Sequence, residues 1–169
     1  MNLVLIGYRG TGKSAVGAIV SARLGMPRIS MDEKIVEKVG MSIPEFVEKR
    51  GWPAFRDVES EVARELSDVD GIVIDSGGGV IERPENIDAL RSNGIIVWLK
   101  ASVGAIVSRI ESSTERPSLT GAKSFTDEVE EVLARRTPSY AAAACYEIDT
   151  DALTPGQVAS RIVEIWERR

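Results

Sequence analysis

Apolar and polar positions along the chain alternate between two periods, and the switches mark the elements. Residues 2–6, Asn-Leu-Val-Leu-Ile, form an apolar, β-prone run long enough for one buried strand. The spacing then becomes helical: Val16, Ile19, Val20 and Leu24 share a face, and Gly25 is placed to end that helix. Further strands are predicted at residues 27–31, 71–76, 95–99 and 145–149. Helical spacing returns at 32–39 through Ile35, Val36 and Val39, and again through Phe55, Val58, Val62 and Leu66. It recurs at 81–93, at 102–110 and at 126–136, where Pro138 is expected to stop the helix. Ser42-Ile-Pro-Glu45 and Thr154-Pro-Gly-Gln157 read as capping boxes with proline in the first turn, opening helices through Phe46 and Val47 and through Val158, Ile162, Ile165 and Trp166. Gly51-Trp52-Pro53 is expected to break the chain between two helices.

Strands alternating with helices imply a parallel sheet covered on both faces. No repeat, low-complexity tract or linker interrupts the pattern, so residues 1–169 are expected to form one α/β domain. Composition narrows the chemistry more than the fold. There is no histidine, which removes imidazole bases, imidazole metal ligands and a Ser-His-Asp triad. What remains is carboxylates, Lys, Arg, backbone amides and a bound metal, a set suited to phosphoryl transfer. A net charge of −5 argues against an extended nucleic-acid surface. No apolar run approaches the ~20 residues of a membrane span. One cysteine excludes an internal disulfide, and Met1 leads straight into a strand with no basic leader, so the cytoplasm is the expected compartment.

The strongest motif follows the first strand. Gly7-Tyr-Arg-Gly-Thr-Gly12-Lys13-Ser14 fits G-x-x-x-x-G-K-[ST] at every fixed position, with a strand before it and a helix after. Its glycines allow close backbone approach to a polyphosphate, and its amides with the helix N-terminus form an anion nest. Gly10, Thr11, Gly12, Lys13, Ser14 and Ala15 are therefore the expected nucleotide contacts. Lys13 supplies charge to the β- and γ-phosphates, and the Ser14 hydroxyl suits Mg²⁺. Asp32, just past the second strand, lies where open α/β sheets bind ligands. Asp75 ends the third strand as a Walker B carboxylate does, a second candidate metal contact. Gly77-Gly78-Gly79 follows it and suits backbone contact with a ligand. Residues 111–124, polar and rich in Ser and Thr, are a candidate lid.

Together these features resemble shikimate kinase over nearly the whole chain. The resemblance rests on the loop at residues 7–14, on Asp32, on Gly51-Trp-Pro-Ala-Phe55-Arg56 with Glu59, on Gly77-Gly78-Gly79, on Arg116-Pro117 and on Arg136-Thr-Pro138-Ser-Tyr140. It implies a P-loop NTPase three-layer α/β/α sandwich around a central five-stranded parallel sheet, with a substrate-binding segment at about 32–60 and a lid at about 111–124. It also implies transfer of the ATP γ-phosphoryl to the 3-hydroxyl of shikimate, with Mg²⁺, on the route to chorismate and aromatic amino acids. Carried over by position, Asp32 would hold the ring hydroxyls and orient or deprotonate the attacking oxygen. Arg56 and Arg136 would clamp the carboxylate, Gly78 and Gly79 would bring backbone to the acid, and Arg116 would close over ATP as a catalytic cation beside Lys13. Arg136 is preferred to Arg135 because it directly precedes Thr-Pro.

Two positions depart from the family pattern. Its Asp-x-Asp after strand two is Ser30-Met-Asp32 here, and Asp75 stands where a small hydroxyl residue is common. The expectation is that Asp75 takes the metal role Ser30 cannot fill. Competing readings are a kinase for another carboxylated polyol such as gluconate, a nucleoside monophosphate kinase, a nucleotide switch or ATPase without a small acceptor, and a silent homologue used for binding. No Asn-Lys-x-Asp guanine motif is present, and Lys13, Asp32 and Arg116 are intact. A monomer is expected.

Overall fold

The strand at residues 2–6 is buried along its whole length, as the centre of a sheet covered on both faces must be. In the computed structural model, which describes residues 1–111 and 125–169, this strand, β1 (Asn2–Ile6), lies between β3 (Val73–Asp75) and β4 (Gly94–Lys100). β2 (Arg28–Ser30) pairs with β3 and β5 (Tyr146–Asp149) with β4, so the order is β2-β3-β1-β4-β5, all parallel.

Side-chain alternation on the strands divides the core. Leu3, Leu5, Val73, Val97, Leu99 and Ile148 face α1 (Lys13–Leu24) and α8 (Pro155–Glu167). Val4, Ile6, Ile74, Ile96 and Trp98 face the other layer, built from α2 (Met31–Val39), α3 (Ile43–Arg50), α4 (Trp52–Ser67) and α5 (Pro84–Ser92). A third cluster around Tyr8 joins α6 (Val103–Ile110) to α7 (Phe125–Ala143). The three-layer sandwich with five parallel strands is as the sequence implied.

Caps explain many of the element boundaries. Ser42 and Ser102 accept from the backbone N–H groups of Glu45 and Ala105, and the Thr154–Gln157 box is closed in both directions. Other boundaries move. β2 is three residues long because Met31 already opens α2, with the Ser30 hydroxyl accepting from the N–H of Glu33 as its cap. Only Gly51 separates α3 from α4. Pro53 sits in the first turn of α4, where its missing N–H costs nothing. A 3₁₀ turn, Val80–Glu82, precedes α5, and Gly94 belongs to β4.

The largest correction concerns Pro138, which does not stop the seventh helix. α7 runs through it to Ala143. The proline removes one backbone donor and crowds the preceding turn, while the Thr137 hydroxyl donates 2.7 Å to the Leu133 carbonyl. Tertiary contacts outweigh the proline. Beyond it, Tyr140 is fully buried, stacks on Trp98 at 5.6 Å and donates its hydroxyl to the Gly78 carbonyl. Most of the expected lid, with Arg116, Pro117 and Gly121, lies outside the described residues. No helix among the described residues is long and apolar enough to cross a membrane.

Candidate active site

The phosphate-binding loop leaves the C-terminal end of β1 and turns into α1 without a capping side chain. Gly12, at the N-cap, has φ 93° and Gly10 has φ 81°, both in the left-handed region that favours glycine. No acidic residue occupies the first turn of α1, so its leading amides are left for an anion. Thr11 is buried and donates its hydroxyl 2.8 Å to the Tyr8 carbonyl, which pins the loop. Lys13 donates to the carbonyls of Gly7 and Tyr8 at 2.7 and 3.0 Å. A cavity of about 420 Å³ opens over this loop, lined also by Ser30, Asp32, Asp75, Ser76, Gly78 and Arg109.

At the floor of the cavity the Asp75 carboxylate is nearly buried, and one of its oxygens takes two hydrogen bonds. Oδ2 accepts from the Ser14 hydroxyl at 2.7 Å and from Arg28 Nη1 at 2.8 Å. Asp75 is the register partner of Ser30 on the adjacent strand. The carboxylate that the sequence lacks at the end of β2 therefore reappears one strand over, at the same height in the sheet. Ser14 and Asp75 form a hard, all-oxygen pair of the kind that suits Mg²⁺ beside phosphate oxygens. Among the described residues no three His, Cys, Asp or Glu side chains gather into a metal cage.

Beyond Gly78 lies a second constellation, made of two guanidinium groups each held by a carboxylate. Arg56 Nη1 donates 2.8 Å to Oε1 of Glu59, one turn further along α4. Glu59 is 1% exposed, and burial pushes its carboxyl up, opposed by the charge of Arg56. Arg136 Nε donates 2.7 Å to Oε1 of Glu82, and Arg135 Nη2 reaches the same oxygen at 3.1 Å. Burial pushes the Glu82 carboxyl up, but the Arg136 hydrogen bond and charge, with Arg135, outweigh it and hold the group below the usual carboxylate range. A depressed pKa means that this pair stabilises the fold at neutral pH and weakens only as pH falls through the acidic carboxylate range. Arg136 is buried against the Tyr8 ring at 5.6 Å, whereas the Arg135 side chain is 63% exposed. A Cβ built on Gly79 would sit inside the Arg56 guanidinium. One on Gly78 would lie 3.2 Å from the Arg9 amide nitrogen and 3.6 Å from Arg136 Nη1.

Comparison with known proteins gives the family of the chain. The shikimate kinase family model matches residues 9–167. The chain belongs to the shikimate kinase family. It is 40% identical over 167 residues to the shikimate kinase of Thermodesulfovibrio yellowstonii, covering 99% of this chain and 95% of that protein. A relative from Caldicellulosiruptor bescii is 35% identical over 164 residues, covering 97% and 94%. In three dimensions the chain resembles shikimate kinase from Acinetobacter baumannii in complex with shikimate, with TM-score 0.94, 30% identity and coverage of 99% and 93%.

Within this shikimate kinase fold, Gly10, Gly12, Lys13, Ser14, Ala15, Asp32, Asp75 and Gly78 line one cavity. Thr11 lies behind the loop as its brace. Asp32 stands in the first turn of α2, above the end of β2. Arg56, Gly79 and Arg136 form the adjoining cluster, and Arg116 lies outside the described residues. Three further residues of this region were not singled out from sequence. Arg109 lines the cavity and donates 3.0 Å to the Gly10 carbonyl, but an arginine at the end of an amphipathic helix carries no motif. Arg28 had one signal, a charge inside a strand flanking a buried sheet, which needs a partner on the neighbouring strand. Glu82 had none.

Proposed function

We propose that the chain transfers the γ-phosphoryl of ATP to the 3-hydroxyl of shikimate, giving shikimate 3-phosphate and ADP. The observation that carries this reading is the junction at Gly78 and Gly79: the phosphate-binding loop and Arg136 both approach Gly78, and Arg56 lies against Gly79. A substrate spanning that junction carries a carboxylate at one end and a hydroxyl beside the polyphosphate at the other. Arg56 and Arg136 hold the carboxylate by charge-assisted hydrogen bonds, with the backbone of Gly78 and Gly79 alongside. Asp32 accepts from the ring hydroxyls and orients or deprotonates the attacking oxygen. The α1 amides cradle the phosphates, and Lys13 moves from its loop carbonyls onto the β- and γ-oxygens as charge develops there. Arg116 adds a second cation on the strength of the family resemblance, carried by a lid at about 111–124 whose closure excludes water. Residues 32–60 serve as the substrate-binding segment of a single domain.

Ser14 and Asp75 would hold Mg²⁺, which when bound neutralises phosphate charge. The register match of Asp75 with Ser30 supports this assignment. Asp75→Asn is expected to raise the Mg²⁺ concentration needed for half-maximal activity about tenfold and to cut turnover. Ser30→Ala should change both less than twofold beyond the loss of a helix cap. Equal, small effects in a Mg²⁺ titration of the two variants would remove Asp75 from the metal site.

The direct test is ADP release coupled to a spectroscopic readout, with ATP and Mg²⁺ and with shikimate, gluconate or no acceptor. Shikimate-dependent release, lost in Arg136→Ala, is the expected result. Release without an acceptor would indicate an ATPase or switch, and release with gluconate alone would keep the clamp but change the acid. We further take the working form as a cytoplasmic monomer. The exposed large apolar side chains among the described residues are Met1, Val36, Val69 and Tyr146, too few for an extended apolar face, which supports a monomer.

A further inference from the structure

Arg136 is held in place by a carboxylate that the sequence motifs did not include. A guanidinium offers a planar fork of donors, and which edge meets a ligand depends on which nitrogens are already engaged. Here Nε of Arg136 is committed, at 2.7 Å, to Oε1 of Glu82. The group is otherwise enclosed: its side chain is 5% exposed, its Cζ lies 5.6 Å from the Tyr8 ring centroid, and Nη1 lies beside Gly78. With Nε engaged and Tyr8 alongside the plane, Glu82 decides how the Nη edge is presented beside Gly78.

We propose that Glu82 is a positioning residue for the acid-binding arginine, one that sets affinity for the acceptor's carboxylate and leaves the phosphoryl-transfer step untouched. The proposal rests on Arg136 being that clamp. Three features make Glu82 suited to the role. It ends the 3₁₀ turn that begins directly after Gly79, so its carboxylate is tied by a short, structured link to the glycines the acid must approach. Its partner lies 54 residues away on α7, so the bond ties the glycine loop to the helix that carries Arg136. Its carboxylate also takes Arg135 Nη2 at 3.1 Å, which anchors the acceptor oxygen from the solvent side.

The arrangement parallels the other half of the clamp, where Glu59 holds Arg56, with one difference. Glu59 is almost completely buried, whereas the Glu82 side chain is 28% exposed. Truncating Glu82 takes the carboxylate from the enclosed Arg136 guanidinium, but at this partly exposed position water can replace its oxygen at Arg136 Nε. Positioning can thus be separated from folding at this residue.

The test is steady-state kinetics of Glu82→Ala and Glu82→Gln against the unaltered chain, varying shikimate and ATP separately, with melting temperatures taken alongside. Loss of orientation in Glu82→Ala should raise the KM for shikimate about tenfold or more, because small misplacements of a holding group are costly. The KM for ATP and kcat should stay within about twofold, and melting should fall by no more than a few degrees, as water takes the place of the carboxylate. Glu82→Gln retains an acceptor oxygen for Nε and should recover most of the shikimate KM. An unchanged shikimate KM in Glu82→Ala overturns the proposal, as does a fall in kcat with KM unaltered or a failure of Glu82→Gln to rescue. If the unaltered chain itself shows no shikimate-dependent turnover, the functional reading fails first and takes this proposal with it. Normal turnover combined with an indifferent Glu82→Ala sinks the proposal alone.

Discussion

Gly79→Ala is expected to raise the KM for shikimate by about a hundredfold while the fold survives. The backbone at Gly79, with φ −95° and ψ 14°, is one that alanine adopts without strain. The obstacle is the Arg56 guanidinium, which lies directly against the glycine and would have to withdraw from the space a Cβ takes. Because that group is the far end of a flexible side chain, it can move, and the damage falls on the clamp more than on the core. Losing two charge-assisted hydrogen bonds costs about 3 kcal/mol, which is roughly the hundredfold stated. Glu59 would then lack its partner in a buried site where burial already pushes its carboxyl up, so it takes a proton instead of remaining charged. A drop in melting temperature of a few degrees is the expected companion. The check is a cycle with Arg56→Ala. If both substitutions act through Arg56, the double variant should be no worse than either single one, whereas additive losses would place Gly79 in a separate role.

Lys13→Met is expected to lower kcat by about a thousandfold or more, the loss typical when a preorganised charge at the developing anion is removed. Lys13 is 7% exposed and already at the phosphate loop, where Gly7 and Tyr8 carbonyls hold its ammonium. Methionine matches the length of the stem but offers no donor and no charge. Shikimate binding, measured by calorimetry without nucleotide, should be nearly unchanged, because the acid clamp is made of other residues. Lys13→Arg should not restore turnover, since a planar fork does not replace a compact ammonium between loop carbonyls and phosphate. A kcat within tenfold of the unaltered chain would remove Lys13 from the transfer step.

These outcomes depend on parts of the site that differed in how far they could be read in advance. The turn at residues 7–14 was legible as a strand-to-helix loop, because its conformation comes from its own glycines. Arg56 and Arg136 were singled out only through the family pattern, whereas Asp32 and Gly79 also stood just past strand ends, where open α/β sheets bind ligands. Arg135 and Arg136 were separated by the motif, and the buried setting of Arg136 supports that choice without testing its role. The helix through Pro138 was misread because proline is a reliable local stop, and nothing nearby in sequence announces that Tyr140 will be buried against Trp98 and bonded to Gly78.

The sequence by itself determined the alternation of strands and helices, the caps at Ser42, Ser102 and Thr154, and the phosphate-binding turn. All of these follow from contacts between residues a few positions apart, where backbone preference and side-chain chemistry act directly. Only the tertiary structure decided that Asp75 lies beside Ser30 and holds Arg28, that Glu82 holds Arg136, and that α7 continues past its proline. Those contacts join residues 47 and 54 positions apart. Such pairs are set by strand order, register and helix packing, which no local stretch of sequence specifies.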